Sequence, residues 1–177
     1  PSTLKFFGTT VGHRDTLVHV CYGLSPKEGR IRLLEVDSLA VIQDFKLPGD
    51  DSSTVTCCAF AHEHLAIGCA EAKVHLLDLV SLTVKVSASL IDTAHMGLEG
   101  LGQAAVSEHS VVQLEFVPSR QLIVAACTLG VHGAIYLMSA NDLALVRCIR
   151  SPGRFGPYSG PFAIDPLQSI LCSSDLS

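Results

Sequence analysis

Charged residues are scarce in this 177-residue chain, and the shortage excludes several functions at once. Asp, Glu, Lys and Arg make up 16% of it, the net charge is −5, and no Lys/Arg cluster is longer than a pair. The electrostatic footprint expected of a nucleic-acid binder is therefore missing. Aromatic residues stand at 6%, with no Trp, so a rim of stacking side chains is not on offer either. No window approaches the roughly 20 uninterrupted apolar residues of a membrane-spanning helix. The most apolar stretch, Leu122 to Leu129, ends at Gly130 and reads as a buried strand. A basic segment leading into an apolar one, the mark of a secretory signal, is absent. Seven cysteines, an odd number at irregular spacing, argue against a secreted disulfide framework. Most lie in apolar runs (AIGCA, VAACT, SILCS), where Cys packs as a small hydrophobe, so the expected setting is intracellular and reducing, cytoplasmic or nuclear.

What is abundant is apolar residues, at 48%, which is too many for a disordered chain and suits strands buried on both faces. Three segments line up as repeats: RIRLLEVDSLAVIQDF from Arg30, KVHLLDLVSLTVKVSA from Lys73, and AIYLMSANDLALVRCI from Ala134. Each is an alternating strand, a polar break, a Leu and a second alternating strand. Anchored on Leu34, Leu77 and Met138, the offsets are 43 and 61 residues. The excess of 18 is supplied by an insertion, Asp92 to His109. A period of about 40–45 is that of a four-stranded propeller blade. The upstream halves repeat too, as TVTCCAFAHEHLAIGC and VVQLEFVPSRQLIVAAC, and PFAIDPLQSILCSSD follows the latter at an offset of 48.

The fold expected is all-β, an incomplete β-propeller spanning 1–177. Blade one would occupy 3–46, blade two 54–91, the insertion loop 92–109, blade three 110–150, and the start of a fourth 160–177. The predicted strands are 3–10, 17–23, 30–36 and 40–46; 54–61, 64–69, 73–79 and 83–89; 110–117, 121–128, 134–139 and 143–149; and 160–165 with 169–174. Turn residues fall between them at Pro26 to Gly29, Pro48 to Asp51, Asn141-Asp142 and Pro152-Gly153. Only Ala94 to Val106, inside the insertion, carries any helical spacing. Three and a half blades leave a sheet edge unpaired, and the chain begins with Pro1. A fragment of a longer propeller, completed by further blades of the same protein or by a partner chain, is the expectation.

At the third strand of each blade the sequence resembles the WD-repeat family. IGCAEAKVHLLDL, Ile67 to Leu79, places Leu77-Asp78 where that family has Trp-Asp. In that family the Asp joins a hydrogen-bonded network with a His and a Ser/Thr, of which only Asp78 survives here. Blade one has Leu34-Glu35 there and blade three Met138-Ser139, and Gly12-His13 stands too near a second strand to be the family's Gly-His pair.

Candidates for chemistry are few. His62 and His64 flank Glu63, which could suit zinc, yet the segment sits where a hairpin turns. His75, between Val74 and Leu76, adds nothing to it. Cys57 and Cys58 are adjacent and so point to opposite faces of a strand. No G-x-S-x-G elbow exists. The Gly-rich stretch Ser151 to Gly160 lacks the ending of a phosphate loop, and Gly97, Gly100 and Gly102 follow no buried strand. No catalytic residue, metal or cofactor is expected. The insertion is the segment of interest, because Met96, Leu98, Leu101 and Val106 are apolar residues on a loop, the pattern of a partner contact. The leading reading is a non-catalytic scaffold for protein–protein interaction within a multi-subunit assembly, with no direct nucleic-acid contact and no membrane insertion. Two alternatives stand beside it. One is a module that reads peptides or other ligands. The other is part of a propeller enzyme whose site lies elsewhere, for which only scattered carboxylates (Asp15, Asp50, Asp51, Glu63, Glu71) speak.

Overall fold

The structure, a computed structural model, describes residues 3–11, 14–22, 30–46, 54–61, 63–81, 83–93, 109–129, 132–150, 162–165 and 170–173. Among them the chain alternates strand and hairpin with little else, as its period-2 patterning requires. The first antiparallel sheet holds β1 (Thr3–Val11), β2 (Arg14–Tyr22), β3 (Arg30–Glu35) and β4 (Val41–Lys46) in chain order. The second holds β5 (Val55–Ala61), β6 (His64–Cys69), β7 (Lys73–Asp78) and β8 (Thr83–Ser89). The third holds β9 (His109–Val117), β10 (Leu122–Leu129), β11 (His132–Ser139) and β12 (Leu145–Arg150). A two-stranded sheet of β13 (Phe162–Asp165) and β14 (Ile170–Ser173) follows. β2 starts earlier than its sequence pattern indicates, and a single helical turn, α1 (Leu90–Thr93), follows β8 at the entry to the insertion.

The repeat seen in sequence is also a repeat of backbone irregularities. The pairing of third with fourth strand shifts register between Leu33 and Leu34, between Leu76 and Leu77, and between Leu137 and Met138. These are the three repeat anchors, so the bulge recurs with the sequence period. The hairpins that follow close alike. Leu39 N–H donates to the Glu35 carbonyl at 2.9 Å and Leu143 N–H to the Ser139 carbonyl at 3.0 Å, with φ of 54° and 57° at the two leucines. Because Leu143 takes this left-handed conformation, β12 begins at Leu145 and not at 143 as the sequence indicated.

Both faces of the middle sheet are buried, as the apolar run of β6 anticipates. On one face Cys57, Ala59, Ala66, Val74 and Leu76 pack against Val111, Leu114, Ile123, Ala125, Tyr136, Met138 and Leu143 of the third sheet. On the other, Cys58, Leu65, Ile67, Cys69, Leu77 and Leu79 pack with Leu33 of the first. Successive residues of a strand thus serve opposite interfaces, and Cys57 and Cys58 do so as adjacent neighbours. The inner strands meet closely. The hydroxyl of Thr56 contacts the carbonyls of both Gly68, at 3.0 Å, and Val111. An isolated bridge joins Ala70 to Ser110.

The short 3-10 turn Pro118–Arg120 between β9 and β10 ends on Gln121, exposed, at φ 52° and ψ 44°. A side chain there is held in a region that glycine enters freely. Gln121→Gly is expected to raise stability by about 0.5–1 kcal/mol, read as a higher urea midpoint at unchanged slope.

Candidate protein-interaction surfaces

Loops at the two ends of the strands form the rims of the blade array. On one rim stands the β6–β7 hairpin, whose two central residues, Glu71 and Ala72, have φ of 61° and 53°. Two consecutive left-handed residues fit a type I′ turn, which normally calls for Asn or Gly. The strain is held by a ring of contacts. Ala70 N–H donates to the Thr54 carbonyl at 2.8 Å, Glu71 N–H to the His109 carbonyl at 2.8 Å, and Leu90 N–H to the Ala72 carbonyl at 2.9 Å. Lys73 Nζ lies 2.8 Å from the Glu71 carboxylate, a partly exposed pair.

Leu90 belongs to the turn before the insertion and His109 opens the strand after it. Both ends of the insertion are therefore fastened to adjacent residues of one hairpin, and Leu90 is fully buried beneath it. Met96, Leu98, Leu101 and Val106 themselves lie outside the described residues, as does the helical spacing from Ala94 to Val106. The residues that bracket that stretch, Leu90 and His109, are both anchored on the β6–β7 hairpin of blade two.

The opposite rim carries the β7–β8 and β11–β12 turns. Asp78, in the place of the family's Trp-Asp aspartate, is held chiefly within its own turn, with the Ser81 hydroxyl and His64 also favouring its charged form. Its Oδ1 accepts from the N–H groups of Val80 and Ser81, both at 2.9 Å. Those bonds, that from Ser81 first, hold its carboxyl below the usual range. A carboxylate two bonds from the main chain caps its own turn more readily than it reaches across a blade. Ser139, at the equivalent place in blade three, caps likewise by accepting from Asn141 N–H at 3.2 Å. Asp142 beside it is fully exposed and held low by the Ser139 hydroxyl and the Ala144 N–H.

The remaining sequence candidates separate. Glu63 lies in the β5–β6 turn and Glu71 in the β6–β7 turn, at opposite ends of β6, so these carboxylates do not converge. His62, Asp50, Asp51, Gly12-His13, the 151–160 segment and Gly97, Gly100 and Gly102 lie outside the described residues. No cluster of three metal-ligating side chains occurs among the described ones. Burial pushes the Cys69 and Cys127 thiols up to about 12, so both stay protonated and unreactive at neutral pH. No helix among the described residues is long and apolar enough to cross a membrane.

Among the described residues, His75 is the one charged-type side chain buried in the core, 6% exposed, with Nδ1 2.7 Å from the Ser87 hydroxyl. Its Nε2 is buried with no partner among the described residues. Burial first, and the Lys73 ammonium second, lower its pKa below 6.5. The unfolded chain therefore takes up a proton before the folded one does. Stability is expected to be full above about pH 6.5 and to fall as pH drops through the lowered folded value. A His75→Gln variant should lack that component, read as the difference between two urea midpoint–pH profiles.

No protein-family model and no curated protein matches the sequence. Solved structures match the fold. A chain of the mitotic checkpoint complex superposes with a TM-score of 0.61 at 11% identity, over 97% of this chain and 44% of that one. The RRP9 WD40 repeats give 0.55 at 14%, over 80% and 36%. A europium-containing methanol dehydrogenase gives 0.56 at 13%, over 85% and 27%. The chain is built of four-stranded β-propeller blades, and it spans less than half the length of each of these three structures. Fold alone does not choose among them, since propellers host both binding modules and enzymes.

Proposed function

We propose that the chain is a non-catalytic platform for protein–protein interaction in a multi-subunit assembly of a reducing intracellular compartment. The observation that carries this reading is the base of the 92–109 insertion, both of whose feet are hydrogen-bonded to the β6–β7 hairpin. A loop held so presents its apolar residues from a rigid site, which lowers the ordering entropy lost on binding. Met96, Leu98, Leu101 and Val106 are the contact residues. Strands buried on both faces supply the rigidity. Thiols without a disulfide at Cys69, Cys127 and Cys148 suit the compartment. Further blades, from a longer form of the same protein or from a partner chain, complete the ring.

The test is quantitative co-purification of the wild-type chain beside a variant with Met96, Leu98, Leu101 and Val106 all changed to Ser. Loss of specific co-purifying subunits at unchanged circular dichroism is expected. An identical set of subunits from both proteins would remove the insertion from the interface. A turnover activity that follows the purified chain would overturn the reading altogether.

A further inference from the structure

The outer edges of the blades are not guarded alike. Each four-stranded sheet ends on its fourth strand, β4, β8 or β12, whose far side pairs with no other strand among the described residues. Alternate N–H and C=O groups of such a strand point away from its sheet, which makes it a template for a further strand. The recurring bulge leaves one extra residue on each of these strands: Ile42 in β4, Lys85 in β8 and Val146 in β12. On β8 the extra residue is a lysine, and the outward positions around it, Thr83 and Ser87, are polar too. A lysine on an edge guards against stray strand pairing. On β12 that guard is replaced by Val146, 59% exposed, beside Leu145, 37% exposed.

Blade packing does not account for these exposures. Leu145 pairs with Met138, which is buried against blade two, so it is open on a side whose neighbouring blade is present. Val146, as the extra residue of the bulge, has no cross-strand partner on β11. Charge then gives the edge a preference. β12 reads LVRCIR, with two arginines and no carboxylate, in a chain whose net charge is −5. Arg147 is exposed and forms no ion pair among the described residues. Asp142, in the turn before β12, is engaged within its own hairpin, accepting from the Ala144 N–H at 3.1 Å. A strand laid along β12 thus meets uncompensated positive charge next to exposed aliphatic side chains.

We propose that β12 is a strand-addition site, which takes an extended segment of a partner protein that alternates aliphatic and acidic residues. Main-chain hydrogen bonds to the edge supply affinity, Val146 and Leu145 an apolar contact, and Arg147 the preference for a carboxylate. The site is separate from the 92–109 insertion and does not rest on it. β12 is the outer strand of blade three, whereas the insertion leads into β9, at the other side of the same sheet.

The test is fluorescence anisotropy of a labelled peptide of alternating Val and Glu, titrated with the full chain into the millimolar range. Two further peptides serve as controls, one alternating Val and Lys, the other the Val–Glu peptide with every backbone nitrogen methylated. The wild type should bind the unmodified Val–Glu peptide and neither control. Val146→Ser should weaken binding at least about threefold, as loss of a few methyl contacts does. Arg147→Glu should weaken it at least about tenfold, by setting like charges together. Lys85→Ser, on the edge of blade two, should leave it unchanged. All three variants should keep the wild-type β-sheet spectrum, since the altered residues are exposed. No binding of the Val–Glu peptide, equal binding of either control, or indifference to Arg147→Glu would each overturn the inference.

Discussion

Gly68→Val is expected to cost 3 kcal/mol or more, about the upper end of core overpacking, and to loosen blades two and three from one another. Gly68 sits in β6 where the inner strands of the two blades converge. A Cβ added there would lie 2.6 Å from Cys57 Sγ, 2.7 Å from Val111 Cγ1 and 2.9 Å from Val111 Cβ. Real Cβ contacts do not come that close. Val111 Cβ is fixed to backbone, and its carbonyl is held by the Thr56 hydroxyl and approached by Cys57 Sγ at 3.6 Å. The neighbours therefore cannot turn aside, and the sheets must part. Gly68→Ala should cost about 1–3 kcal/mol by the same contact. Val111→Ala should be worth less in the Gly68→Ala background than alone, because it relieves the clash it also vacates. Urea denaturation of the four proteins measures the coupling; additive losses would show that the sheets do not press together at this point.

Tyr136→Ala should destabilise by about 3–5 kcal/mol, as deletion of a fully buried aromatic ring does. Tyr136 is 0% exposed at the centre of β11, among the residues that join blade three to blade two. Leu76 and Ile123 of the same cluster are equally buried, so little can move into the space. Loss on this scale is a large part of the total stability of a small domain. Blades two and three should melt together in one shifted transition, by fluorescence and by far-UV circular dichroism alike. A change confined to blade three would mean that the shared core does not couple them.

The spacing of apolar residues made the blades legible, because strands buried on both faces leave few other patterns available. RIRLLE, KVHLLD and AIYLMS announce the third strands, and the offsets of 43 and 61 carry over to the bulges at Leu34, Leu77 and Met138. Turn geometry was far less legible. Leu39, Glu71, Ala72, Gln121 and Leu143 all take positive φ without the Gly or Asn that would signal it, since surrounding hydrogen bonds impose the conformation. Asp78 was legible only as the surviving member of a family network; that its carboxylate caps the nearest turn shows in the hydrogen bonds alone. Which neighbours are near Leu90 and His109 depends on contacts with Ala72 and Glu71, distant in sequence, so the common anchor of the insertion carried no sequence signal.

Site-specific photo-crosslinking tests the binding-platform claim most directly. A photoreactive residue is placed at Met96 or Leu101 of the insertion in cells, with the same residue at Lys85 on the exposed outer strand of blade two as the reference. Covalent adducts with other subunits from positions 96 and 101, in clear excess over position 85, are the expected result. Equal yields from all three positions, or none from the insertion, would contradict the claim that this loop is where the chain meets its partners.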